Sequence, residues 1–163
     1  MLRHQLAVGI GEMKFVTAPD HVLVAYGLGS CVAVVLYDPA VPVAGMAHVM
    51  LPSNGTGPVS MPGKYADLAV AALREGLLGA GASRFRIRAK LSGGAQMFRL
   101  SGPAAQHLNM GPRNVEAVLR ALESHSIPIF GKDVGGNHAR TVMFYPSTGI
   151  MVVRTANGVP VEI

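Results

Sequence analysis

The first third of the chain is a succession of short apolar, β-branched runs at residues 6–10, 13–18, 22–26, 31–37 and 43–51, each cut off by Gly, Pro or Asp. Runs this short and this often punctuated are too brief for ordinary helices and read as strands. The chain is thereby committed to a sheet that something must cover. Two later segments have the spacing to do it. Tyr65, Leu68, Ala69, Ala72 and Leu73 recur as one apolar helical face, stopped by Gly79 and Gly81. A second helix opens near Gly111-Pro112 and buries Val115, Val118, Leu119 and Leu122. Between them, Arg84 to Leu91 alternates, which predicts a strand with Phe85, Ile87, Ala89 and Leu91 on one face and Arg84, Arg86, Arg88 and Lys90 on a basic, solvated one. Three more strands are expected at residues 127–134, 140–145 and 150–155. The predicted class is α+β: a strand-rich sandwich with two amphipathic helices packed on a sheet.

A length of 163 residues with no linker, repeat or low-complexity block predicts a single domain, 1–163. Half the residues are hydrophobic and 14% charged, which excludes a disordered chain. The most apolar stretch, Cys31 to Leu51, is cut by Asp38-Pro39 into pieces well short of the roughly 18 residues of a membrane span. The N-terminus lacks the long apolar segment of a signal peptide, so a cytoplasmic location is expected, with no membrane insertion. One cysteine makes no internal disulfide and no Cys-rich zinc site. No histidine pair has metal-ligand spacing, so neither a metal nor another cofactor is expected. The net charge of +5 comes without the aromatic-plus-basic pattern of a nucleic-acid binder, and no nucleic-acid partner is expected.

Cys31 taken alone is a small core residue at the head of an apolar strand. Its setting argues for more. It follows Gly27-Leu28-Gly29-Ser30, a tight turn whose backbone N–H groups can face outward and receive an oxyanion. His48 lies in the next apolar run, joined to the first by the short connection Asp38-Pro39-Ala40-Val41-Pro42. Neighbouring strands bring imidazole within reach of thiol, where it can take the thiol proton. Of the glycine clusters, Gly135-Gly136 reads as turn geometry. Gly93-Gly94-Ala95 stays open between turn geometry and lining a site, because glycine permits close backbone approach.

The segments Gly27-Leu28-Gly29-Ser30-Cys31-Val32-Ala33-Val34, Leu36-Tyr37-Asp38-Pro39 and Gly45-Met46-Ala47-His48-Val49-Met50-Leu51-Pro52, followed by Ala89-Lys90-Leu91-Ser92-Gly93-Gly94-Ala95-Gln96-Met97-Phe98, Gly111-Pro112-Arg113-Asn114-Val115 and Asp133-Val134-Gly135-Gly136, together resemble the chemoreceptor glutamine deamidase family, CheD. The resemblance runs from about Gly11 to Val153. It implies a bacterial chemotaxis enzyme that hydrolyses glutamine side-chain amides on chemoreceptor cytoplasmic helices, and a fold similar to the catalytic domain of deamidating bacterial toxins. It also implies a CheC-type phosphatase as partner in some bacteria. The family's nucleophile falls on Cys31 and its histidine on His48. Family members commonly carry a Thr six residues before the cysteine, where this chain has Ala25, and Asn137-His138-Ala139-Arg140 departs from the family's Gly-Arg continuation.

The mechanism that follows is acyl transfer through a Cys31 thioester, with Ser30 and Gly94, beside Gly93, as oxyanion or substrate-binding positions and His48 as acid and base. A thiolate–imidazolium pair predicts a lowered Cys31 pKa. With Ala25 unable to orient the imidazole, a backbone carbonyl is the expected stand-in, and Ala25→Thr is expected to raise turnover. The loop at residues 52–63 is expected to border the site as a lid. The alternative is a non-catalytic adaptor that binds chemoreceptors or the CheC phosphatase.

Overall fold

The computed structural model describes residues 3–97 and 109–163. Among the described residues, ten strands and two α-helices follow in the order β1 (His4–Ala7), β2 (Met13–Val16), β3 (His21–Leu28), β4 (Val32–Asp38), β5 (Val43–Val49), a 3₁₀ turn (Pro62–Lys64), α1 (Ala66–Gly79), β6 (Arg88–Gly93), α2 (Met110–Ser124), β7 (Ile129–Val134), β8 (Arg140–Tyr145), β9 (Ile150–Arg154) and β10 (Val161–Glu162). They form two five-stranded sheets, β1-β3-β8-β9-β10 and β2-β5-β4-β6-β7. The β1–β3 and β6–β7 pairs are parallel and the others antiparallel, so both sheets are mixed. The predicted α+β sandwich with two covering helices is the observed architecture.

Strand parity divides the core in two. On β4, Val32, Val34 and Leu36 face α1 and α2, together with Val43, Ala47 and Val49 of β5. Cys31, Ala33, Val35 and Tyr37 face the other way, into the layer between the sheets, with Leu23, Ala25, Val142 and Phe144 opposite. The layers are therefore sheet, sheet, helices, and β4 and β5 lie at the centre, buried on both faces. This explains why their sequences are continuously apolar rather than alternating.

Two segments differ from the sequence reading. The predicted strand from Arg84 begins only at Arg88, because Arg86 and Ile87 N–H groups turn back to the Ser83 carbonyl. The buried Asp38 carboxylate drives this turn: it accepts two hydrogen bonds from Arg86 at 2.9 Å and one from the Ser83 N–H at 2.8 Å. The expected basic face is accordingly dismantled. Arg86 is paired, the Arg88 guanidinium lies 3.9 Å from the centre of the Phe130 ring, and Lys90 is buried, donating to the Gly149 and Ile163 carbonyls. The second departure is β10, a two-residue strand that carries too little periodicity to be recognised.

Candidate active site

The β4–β5 hairpin sets the geometry of the reactive pair. Its register places His48 directly opposite Ala33 and Val32 opposite Val49, so the ladder continued by one residue sets Cys31 against Met50. His48 is then the diagonal neighbour of Cys31 on one face, at a separation of about 7–8 Å between α-carbons and less between side chains. Both lie at the edge of the inter-sheet layer, where Cys31 is 9% exposed and His48 3%. Burial pushes the Cys31 thiol pKa up from its ordinary value. This direction is opposite to the lowered pKa expected from a standing thiolate–imidazolium pair.

The imidazole is oriented by the opposite sheet. The Val8 N–H extends the β1–β3 pairing to Val24 at 2.8 Å, after which the chain crosses towards β2 through a turn closed by Glu12 N–H to Gly9 O. Where it leaves the first sheet, the Val8 carbonyl accepts a hydrogen bond from His48 Nδ1 at 2.9 Å. A carbonyl only accepts, so Nδ1 carries a proton, and in the neutral ring the lone pair is then on Nε2. The crossing is pinned to β5 by Gly11 N–H to His48 O at 2.9 Å and His48 N–H to Glu12 O at 3.0 Å. Ala25 is fully buried in the same inter-sheet layer and contributes only its methyl group.

The turn before Cys31 is braced from two sides. Gly93 and Gly94 both adopt positive φ, +115° and +68°, and a β-carbon on Gly93 would stand 2.3 Å from the Cys31 carbonyl oxygen. Only glycine fits there. The Gly94 N–H donates to Cys31 O at 2.8 Å and the Ala95 N–H to Gly29 O at 2.9 Å. This corrects one expectation: the Gly94 N–H already has an acceptor and is no spare oxyanion donor. In a regular antiparallel pair the Cys31 N–H would return a bond to Gly94, but the glycine turn carries that carbonyl away. Among the described residues the Cys31 and Ser30 N–H groups reach no backbone acceptor.

The second brace is Asn114 in the first turns of α2, which the sequence reading quoted in a motif of the resemblance without giving it a role. Its Nδ2 donates to Ser30 O at 3.0 Å and to Met50 O at 2.9 Å, joining the residue before Cys31 to the residue two beyond His48. A signal for it existed: Asn114 shares the fully buried stripe of Val118 and Leu122 at four-residue spacing, and a buried amide requires partners. Farther out, Arg140 of β8 is mostly buried and ion-paired to Asp133 at 3.1 Å. It tethers β8 to β7 beside the Gly93 turn. Among the described residues no group of three His, Cys, Asp or Glu side chains is placed to hold a metal ion, and no helix is long and apolar enough to cross a membrane.

Beside Cys31 a pocket of about 180 Å³ is lined by Ser30, Ala95, Gln96, Met97, Asn109, Met110 and Gly111. It is smaller than the roughly 300–1,000 Å³ of common small-molecule sites and suits a single side chain. The loop at residues 52–61 runs from the end of the His48 strand and returns at Met61, whose methyl lies near Gly11.

A buried cysteine and a histidine thus share one face, with a side-chain-sized pocket alongside. The family model described as CheD chemotactic sensory transduction matches residues 50–155. The chain belongs to the CheD family. The chain is 50% identical over 151 residues to a probable chemoreceptor glutamine deamidase CheD of Symbiobacterium thermophilum, covering 91% of both chains. It is 49% identical to the probable enzyme of Geobacillus kaustophilus, again over 91% of each chain. Against the chemoreceptor glutamine deamidase CheD of Thermotoga maritima the identity is 47%, over 93% of this chain and 92% of that one. These alignments span nearly the whole CheD domain, including strands that the family model leaves unmatched.

Proposed function

We propose that this CheD chain is a protein-glutamine deamidase that converts glutamine side chains of chemoreceptors to glutamate and ammonia through a Cys31 thioester. The observation that carries the reading is the Nδ1–H bond from His48 to the Val8 carbonyl, which leaves a basic Nε2 on the face that Cys31 occupies. His48 Nε2 takes the thiol proton as sulfur attacks the carboxamide carbon, which avoids forming a bare thiolate in an apolar layer. The oxyanion is received by the Cys31 N–H, with Ser30 at the pocket wall; Gly93 and Gly94 hold the turn rather than the charge. The tetrahedral intermediate collapses with cleavage of the C–N bond, and His48 returns its proton to the departing ammonia. Water, deprotonated by Nε2, then cleaves the thioester and restores the thiol, so that amide plus water gives carboxylate and ammonium. No step calls for a cofactor.

On this reading the enzyme works in the cytoplasm on the receptors' helical regions, and a CheC-type phosphatase is its second partner. The case for an adaptor without catalysis rested on Ala25, and a carbonyl that already orients His48 removes its motive. Ammonia release from a receptor cytoplasmic fragment tests the proposal. Release by the wild type and none by Cys31→Ala or His48→Ala is expected, whereas equal release by Cys31→Ala removes the cysteine mechanism.

A further inference from the structure

Three exposed methionines lie beside this site. Met50, Met61 and Met97 are 39%, 39% and 46% exposed. Each abuts a residue next to Cys31 or His48. Met50 continues the hairpin opposite Cys31, and its carbonyl shares the Asn114 amide with that of Ser30. The Met61 methyl stands 3.2 Å from where a side chain on Gly11 would begin, and Gly11 is bonded to the His48 carbonyl. Met97 lies 3.4 Å from the corresponding point on Gly29, two residues before the nucleophile, and lines the pocket with Met110.

Exposed apolar side chains scattered singly need no explanation, but three that each abut a residue beside Cys31 or His48 mark a contact surface. Methionine is unbranched and polarizable, so such a surface repacks around different apolar partners. The pocket admits one side chain, so whatever flanks the target glutamine must lie across this rim. We infer that Met50, Met61 and Met97 form a substrate-recognition rim that receives aliphatic side chains flanking the target glutamine of a chemoreceptor. The inference rests on the deamidase reading for its occupant. It assigns specificity to packing rather than to charge.

Binding and chemistry test the two claims separately. In a Cys31→Ala background, affinity for a receptor cytoplasmic fragment is measured by calorimetry for the parent, for Met50→Ser, Met61→Ser and Met97→Ser singly and together, and for the corresponding triple leucine variant. Each serine change is expected to weaken binding roughly 3- to 10-fold and the three together about 100-fold, with leucine restoring it to within about 3-fold. A circular-dichroism melt of each variant reports whether the fold is kept. Affinity unchanged in a folded triple serine variant overturns the rim. So does a folded triple serine variant that loses only concentration-dependent self-association, since the patch then belongs to a second copy of the chain. In the Cys31-intact enzymes the same serine changes are expected to act on KM with kcat nearly constant. A wild type that binds the fragment through the rim and releases no ammonia contradicts the deamidase reading while leaving the rim standing.

Discussion

His48 Nδ1 is hydrogen-bonded at 2.9 Å to the carbonyl of Val8, a residue forty positions earlier in the chain and immediately beyond the end of β1 in the opposite sheet. The third member of the site is thus a backbone atom. Its position depends on the crossing from β1 to β2, and no side chain at residue 25 is needed to hold the ring.

That relationship reverses one expectation. With Nδ1 already bonded to Val8, Ala25→Thr adds no partner that the ring needs for its orientation. It places a hydroxyl and an extra methyl in a fully buried position of the inter-sheet layer. The expected outcome is a loss of about 1–3 kcal/mol of stability and no gain in turnover. Urea denaturation and a turnover measurement on one receptor fragment check it; a faster Ala25→Thr enzyme contradicts the Val8 assignment.

The raised Cys31 pKa predicts a particular titration. In the folded protein the neutral thiol is favoured, so its contribution to stability is full below the unfolded thiol pKa and is lost as pH rises through the folded one. Iodoacetamide should therefore alkylate native Cys31 with a midpoint above that of the same protein in denaturant, where a free thiol titrates near about 8.5. A native midpoint below the denatured one is the result that would restore a resting thiolate–imidazolium pair.

Asn114 joins both halves of the site through one amide. Asn114→Ala leaves the Ser30 and Met50 carbonyls without their donor and loosens the alignment of Cys31 with His48. A displacement of about 1 Å is enough to cost on the order of 100-fold in rate. The expectation is a 10- to 100-fold fall in kcat, as that figure implies, with KM within about 3-fold. A pure stability loss with kcat intact in the folded fraction would reduce Asn114 to an ordinary buried amide.

Asp38 governs acid stability. Burial acts to raise its pKa, but the Arg86 fork and the Ser83 and Ala40 N–H groups outweigh burial and hold it below the usual carboxylate range. The stabilisation is present above the unfolded carboxyl pKa of about 3.9 and is lost as pH falls through the folded value. Asp38→Asn should destabilise by roughly 1–3 kcal/mol at neutral pH and flatten the acid limb of the stability curve. Urea midpoints at neutral pH and near pH 3 measure both effects; an unchanged acid limb contradicts the assignment.

The placement of Cys31 and His48 on one face was legible because it depends on local rules. Two apolar runs joined by a short turn make a hairpin, and strand parity puts Cys31 and His48 on one face. What the sequence hid is non-local. The Val8 carbonyl has no side-chain signature, and its role exists only once the two sheets are stacked. Asn114 reaches the site from a helix more than eighty residues beyond Cys31, visible only as a polar residue in a buried stripe. The alternation from Arg84 to Leu91 misled because one buried carboxylate, Asp38, outweighs strand periodicity at Arg86. Lys90 misled because its ammonium finds carbonyls inside the protein rather than water. The Gly94 N–H was open to two readings until the Cys31 carbonyl claimed it.

The most direct test of the account is mass spectrometry of a receptor cytoplasmic fragment incubated with wild type, Cys31→Ala and His48→Ala, resolving the amide-to-acid mass gain at each glutamine. The account predicts conversion at discrete glutamines by the wild type alone, and a covalent acyl adduct on Cys31 when the reaction is quenched early in acid. Conversion by Cys31→Ala at the wild-type rate, or a wild type that converts no receptor glutamine, would contradict it.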